Sequence, residues 1–185
     1  MSTYKVLNNQ KFSNREYSII PIRYEDRMAI LKWRNEQIYH LRQIKPLTTE
    51  SQNKYFDETI SDLFDQKLPK QLLFSFLKNK ECIGYGGLVH INWTDKNAEI
   101  SFIMNTHHEK ESFVSNWSNF LNCLEQLAFK ELNFHKIFVY AFDIRPKLYK
   151  ALEAHGYFLD ARLKDHCFVE GEFKEVVIYS KLINQ

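Results

Sequence analysis

Glycine is scarce in this 185-residue chain: there are five, and none lies between Leu88 and His155. Phosphate-cradling loops depend on glycine for positive φ and for close approach of backbone to ligand, so a Walker loop and a Rossmann fingerprint are both excluded. Cysteine is equally thin. Cys82, Cys123 and Cys167 form no close pair, which argues against a disulfide framework and a CxxC metal site. No metal is expected. The charge lacks a dominant sign, with 25 Lys and Arg against 23 Asp and Glu. A nucleic-acid partner and a membrane partner are therefore not expected. No apolar run reaches the ~18 residues that would span a bilayer, and MSTYKVLNNQKF at the start lacks an apolar signal region, so a cytoplasmic location is expected. The length suits one domain over residues 1–185.

What is present follows a readable order. Tyr17 to Arg23 reads as a strand and Glu25 to Arg34 as a helix, with a break at Lys45-Pro46. Thr49 and Gln52 are spaced as a capping box, and Phe56, Ile60, Leu63 and Phe64 recur at helical spacing, predicting a helix from Glu50 to Asp65. Gln71–Leu77, Glu81–Ile91 and Ala98–Met104 follow as strands with short polar turns, an antiparallel meander. The glycine cluster GYGG (84–87) sits inside the second of these, where glycine marks a bulge or a close backbone approach. Phe113, Trp117, Phe120, Leu121, Leu124, Leu127 and Ala128 then trace one stripe of a long helix over Ser112–Leu132. His135 to Phe142 reads as a strand parallel to the one before that helix. A short helix follows, with Asp143 as N-cap, Pro146 in its first turn and Gly156 past its end. Tyr157–Lys164 and Phe173–Leu182 close the chain as a hairpin turning near Glu170-Gly171.

This order, together with three local stretches, resembles the GNAT acetyltransferase superfamily. KWRNEQIYHLRQ (Lys32–Gln43) and LTTESQNKYF (Thr48–Phe56 within it) look like the opening helices of ribosomal-protein-type and nucleotide-sugar N-acetyltransferases. IGYGGLVHINWTDKNAEISFIM (Ile83–Met104) is similar to the meander that ends in the coenzyme-binding strand. LYKALEAHGYF (Leu148–Phe158) with HCFVEGEFKEVVIYSKL behind it resembles the closing helix and hairpin. The resemblance implies a mixed α/β GNAT fold with a seven-stranded sheet splayed between its fourth and fifth strands. Acetyl-CoA would enter that gap. It also implies backbone contacts to the coenzyme from Phe102, Ile103 and Met104, with the diphosphate near Lys110, Phe113, Val114, Ser115 and Asn116 at the long helix's start. Asp143 would border the coenzyme from the fifth strand. The sequence departs from the family at that helix start, reading HHEKESFVSNW (His107–Trp117) without glycine or arginine. Lys110 or His107 adds positive charge there, whereas Glu109 and Glu111 bring like charge toward an anion.

Acetyl transfer to an amine needs a placed neutral amine, a path for its proton and a donor for the departing thiolate. The resemblance gives the donor's role to Tyr149, whose alternative is plain packing of a helix aromatic against the sheet. It gives the base's role to Glu99, otherwise an exposed strand-end glutamate. His90 and Asn92 fall where an acceptor or a proton relay would lie, although a histidine there also serves as a satisfied structural residue. Trp33, Arg34 and Asn35 mark the acceptor side, or a solvated helix end. The expected activity is N-acetylation of a small-molecule amine, an amino sugar on a nucleotide carrier by preference, by a monomer or homodimer. A peptide N-terminus, or a non-catalytic binding module that has lost the coenzyme, are the alternatives.

Overall fold

The computed structural model describes residues 2–183. Its strands are β1 (Phe12–Asn14), β2 (Tyr17–Pro21), β3 (Leu72–Lys78), β4 (Glu81–Asn92), β5 (Asn97–Met104), β6 (Lys136–Phe142), β7 (Phe158–Val169) and β8 (Glu172–Leu182). They form one eight-stranded sheet in the order β1-β2-β3-β4-β5-β6-β8-β7. Every adjacent pair is antiparallel except β5 and β6. The expected count of seven was short by β1, three residues without a clear alternating pattern that pair with β2. The mixed α/β architecture is otherwise the expected one.

The helices are α1 (Arg27–Glu36), α2 (Thr49–Lys54), α3 (Ser61–Asp65), α4 (Thr106–Glu111), α5 (Phe113–Glu125) and α6 (Pro146–Ala154). A π-helical stretch, Tyr55–Ile60, joins α2 to α3, so the expected Glu50–Asp65 helix is nearly continuous. Its cap lies one residue earlier than the spacing suggested. Thr48 accepts from the Ser51 amide at 3.1 Å while Ser51 Oγ accepts from the Thr48 amide at 3.0 Å, satisfying two orphan donors reciprocally. The long helix is also divided. Thr106–Glu111 forms a separate short helix, and Ser112 breaks the chain before α5, which ends in a second π-helical stretch, Gln126–Glu131.

All seven residues of the apolar stripe on α5 are buried. They meet β3 and β5 through aromatic contacts, with Phe120 stacked on Phe102 at 4.0 Å between ring centroids and Phe76 edge-on to each at 5.5 and 5.6 Å. Alternation on β5 then directs Ala98, Ile100, Phe102 and Met104 to the α5 face and leaves Glu99, Ser101 and Ile103 on the opposite face, where α1 and α2 lie. α1 is fixed there by the buried Asp26 just before it, whose carboxylate accepts from Ser75 Oγ at 2.6 Å and pairs with Arg23 at 2.7 Å. On β4 the glycine cluster allows the meander to close tightly. A Cβ on Gly86 would lie 2.2 Å from the Ser101 carbonyl oxygen, and one on Gly87 would lie 1.9 Å from that of Leu72.

These contacts involve backbone on rigid strands, so no side chain can yield. Gly86→Ala is expected to cost about 3 kcal/mol or more, at the severe end for a point substitution. Urea unfolding of the variant checks this; a loss below about 1 kcal/mol would contradict the register.

Candidate active site

Parallel pairing of β5 with β6 lasts three residues: Asn97 with Lys136, Ala98 with Ile137 and Glu99 with Phe138. β6 remains paired to β8 along its whole length and β5 to β4 as far as Met104, so each strand keeps its outer partner and loses only the other. Beyond Glu99 the strands part, and the opening is lined by Ser101 and Phe102 from β5, Tyr140 and Phe142 from β6, and Trp117 from α5. Glu99 therefore stands at the apex of the fork. Its side chain is only 8% exposed, and it accepts from Arg42 Nη2 and bonds His90 Nδ1 at 2.8 Å.

The position of His90 has a backbone cause. The β4–β5 register slips between Val89 and Asn92, and His90 at the slip adopts φ +49°, in the left-handed region. A bulge of this kind redirects a side chain at a small local cost. Here it carries the imidazole to Glu99 while leaving it 64% exposed, a bridge between a buried carboxylate and water. Arg42 comes from the loop after α1, and its guanidinium also lies 4.7 Å from the Tyr140 ring centroid. Arg42 and Tyr140 were not foreseen as partners of Glu99, because their proximity depends on a loop and a crossover connection.

The remaining candidates divide. Phe102, Ile103 and Met104 lie on β5 beyond its last pair with β6, and the Met104 carbonyl there accepts from the buried Gln37 Nε2 at 2.7 Å. Val114 and Ser115 are exposed in the first turn of α5, and Ser112 supplies no side-chain cap to the amides there. Phe113 is buried beneath Arg145, whose guanidinium lies 5.0 Å from its ring centroid, and Asn116 is buried with Met104 Sδ 3.9 Å away. Lys110 is exposed at the end of α4. The like charge expected from Glu109 is answered within the chain: Arg145 Nη2 pairs with Glu109 Oε1 at 2.7 Å, both side chains nearly buried, while the second carboxylate oxygen is buried without a partner. Glu111 pairs with His107 at 3.1 Å.

Five expectations are corrected by position. Tyr149 does not face the opening. On α6, Leu148, Ala151 and Leu152 are the buried residues, and Tyr149 points to the hairpin side, stacked on Tyr179 at 5.4 Å with its hydroxyl donated to Asp143. That hydrogen bond, burial and the Asp143 charge push the phenol above its ordinary range, burial contributing most. Asp143 does not cap α6, which begins at Pro146 with Arg145 as its N-cap. It accepts instead from Tyr149 and Arg162, which hold its carboxyl below the usual range. Trp33 is core, 4% exposed. Asn92 ends β4 and holds the β4–β5 turn, bonded to the Asp95 amide and carboxylate at 2.9 and 2.8 Å. Asn35 similarly clamps the following loop through the Leu47 amide and carbonyl at 2.8 and 2.9 Å.

Against the coenzyme implied by the resemblance, this donor set fits in kind: an unpaired strand edge for an extended amide chain and an uncapped helix start for a diphosphate. The opening encloses about 100 Å³ with His40, Arg42 and Arg145 in their present positions. Ligand pockets commonly hold upwards of ~300 Å³. On the other face of β5 a second cavity of about 430 Å³ is lined by Arg34, Tyr55, Tyr85 and Val89, and it meets the first at Ser101.

The sequence model of a family described as "Acetyltransferase (GNAT) domain" matches residues 19–177. A spermidine N(1)-acetyltransferase of Vibrio cholerae serotype O1 is 24% identical over 151 residues, covering 78% of this chain and 85% of that protein. The crystal structure of a V. cholerae spermidine N-acetyltransferase in complex with CoA and spermine superposes with a TM-score of 0.80 at 20% identity, over 92% of this chain and 98% of that one. A dodecameric form in an intermediate state gives 0.76 at 21% identity, over 92% and 96%. At these identities the structural likeness establishes the fold.

His40 provides a test of how tightly the opening is built. Burial, with the Arg145 guanidinium 3.3 Å away, pushes its imidazole down to about 3. The native ring is then neutral, and between pH 6.5 and 3 the unfolded chain binds a proton that the native one does not. Stability accordingly falls as pH drops through that window, by about 2 kcal/mol at pH 5 for this one group. His40→Gln should narrow the difference in unfolding free energy between pH 8 and pH 5 by that amount; an unchanged difference would contradict the assignment.

Proposed function

This chain belongs to the GNAT acetyltransferase family and is an N-acetyltransferase, and we propose that it transfers acetyl from acetyl-CoA to a primary amine of a small acceptor, with Glu99 and His90 removing the amine's proton. The observation that carries this reading is the place of Glu99, the last β5 residue paired with β6 and thus the one at the apex of the fork. Bound acetyl-CoA supplies an acetyl thioester. The residues to hold it are the β5 edge from Ser101 to Met104 and the first turn of α5, Phe113 to Ser115.

An acceptor amine at the fork meets a carboxylate that is buried, acceptor-only when ionised, and hydrogen-bonded to an exposed imidazole. A proton taken by Glu99 passes to His90 and then to water, so the carboxylate is restored without opening the cleft. Arg42 orients Glu99 from the other side and stays charged throughout. Tyr140 lines the opening, and that position supports the role of its phenol in returning a proton to the departing thiolate. Tyr149, engaged with Asp143, is not placed to do so. The nucleotide-linked amino sugar is set aside, since the relatives named above are spermidine acetyltransferases.

Turnover measured by thiol release from acetyl-CoA, with hexylamine as acceptor, tests these roles. Glu99→Gln should lower kcat by about 10²–10³, in the range of a lost general base, while acetyl-CoA still raises the melting temperature. Tyr140→Phe should lower kcat, and Tyr149→Phe should leave it near wild type. A Glu99→Gln enzyme of normal turnover, or a loss confined to Tyr149→Phe, would overturn the assignment.

A further inference from the structure

The cavity on the α1 and α2 face of the sheet has a charge pattern that bears on which amine enters. Its floor is sheet: Ile22, Leu73, Tyr85 and Val89. Arg34, Leu47, Gln52, Tyr55 and Phe56 close over it from α1, the loop before α2, α2 itself and the joining stretch. Among the residues that line it there is no aspartate or glutamate, and the one charged group is Arg34. Arg34 donates from Nη1 to the Tyr85 hydroxyl at 2.6 Å and from Nε to Gln43 Oε1 at 3.0 Å. Both partners are neutral acceptors, and no carboxylate among the described residues forms an ion pair with it. The guanidinium is thus oriented by two hydrogen bonds, half-buried and without a counter-charge.

Position along the strands separates this cation from the reacting end. Ser101, where the two cavities meet, pairs with Gly87, whereas Ile103 pairs with Tyr85, two residues further on. That offset is about 7 Å along a strand. An acceptor whose amine lies beside Glu99 and Ser101 therefore runs over Val89 and Leu73 before its far end reaches the Tyr85–Arg34 pair. A polyamine laid there would set its second ammonium against a guanidinium, with no carboxylate in the lining to hold it. A chain ending in an anion would instead complete Arg34, which has further N–H groups for a bidentate contact.

Resting on the acetyltransferase reading above, we infer that the acceptor is a primary amine whose apolar body ends in a carboxylate or a phosphate, bound through Arg34 in this cavity. Arg34 is then a specificity-determining residue for the acceptor. Four amines separate the terms: hexylamine, 6-aminohexanoate, 6-aminohexyl phosphate and spermidine. With saturating acetyl-CoA, kcat/KM is expected to be at least tenfold higher for one of the two anionic amines than for hexylamine, and lowest for spermidine; which anion gains more identifies the head group. In Arg34→Gln the ratio of anionic amine to hexylamine should fall toward one, and in Arg34→Lys, which keeps the charge without the fork, an intermediate ratio should remain. Preference for spermidine, equal use of all four, or a ratio unmoved by Arg34→Gln overturns the inference and leaves acetyl transfer standing. No transfer to any of the four, combined with no thermal shift on adding acetyl-CoA, overturns both.

Discussion

Three residues of parallel pairing between β5 and β6 set the geometry on which everything else in this molecule depends. A sheet gains a hydrogen-bonded ladder for every residue it keeps in register, so two adjacent strands that separate after Glu99 forgo favourable contacts and must be held apart by their surroundings. The α5 aromatic cluster anchors β5 from one face, through Phe102 on Phe120. β8, paired with all seven residues of β6, anchors the other strand. The fork is what remains between two well-fixed halves of one sheet. Glu99 falls at its apex as a consequence of register, and the bulge that turns His90 toward it lies on the neighbouring strand at the same level.

The start of α5 shows what replaces a glycine loop when glycine is absent. The chain inserts a further short helix, Thr106–Glu111, capped by Asn105 through the His107 amide at 3.0 Å. It then breaks at Ser112 and begins α5 with no side-chain cap. The acidic residue this brings toward the opening is neutralised by Arg145, which crosses from the connection after β6. That ion pair spans the two elements flanking the fork. It satisfies one Glu109 oxygen and leaves the other buried and unpartnered, so Arg145, which lines the opening, carries an internal anion behind it. Charge at the helix start is therefore balanced within the chain.

Much of this fold was legible in the sequence. The α5 stripe, the alternation on β5, the polar turns and the glycine cluster each correspond to a local rule that tertiary structure did not override, and GYGG proved to be a set of close backbone approaches. The strand β1 was missed because three residues carry too little pattern to read. The α4 break was missed because Ser112 interrupts a stripe that continues on its far side. The site was legible in part: alternation put Glu99 on the face opposite Ile100 and Phe102, but its contact with His90 comes from a bulge that no local pattern shows. Tyr149 was misdirected for a different reason, since its helix presents Leu148 and Leu152 inward and carries Tyr149 round to the hairpin. Arg34 was expected on the acceptor side, whereas the contacts of Arg42, Tyr140 and Arg145 span long sequence separations that no local pattern announces.

Hydrogen exchange of the full chain, followed by mass spectrometry with and without saturating acetyl-CoA, tests the central claim most directly. If β5 offers its unpaired edge to the coenzyme, the amides between Ser101 and Met104 that face β6, and those in the first turn of α5, should exchange markedly more slowly in its presence, with β3 unchanged. Identical exchange along β5 and α5 under both conditions would show that the fork is not where the coenzyme lies.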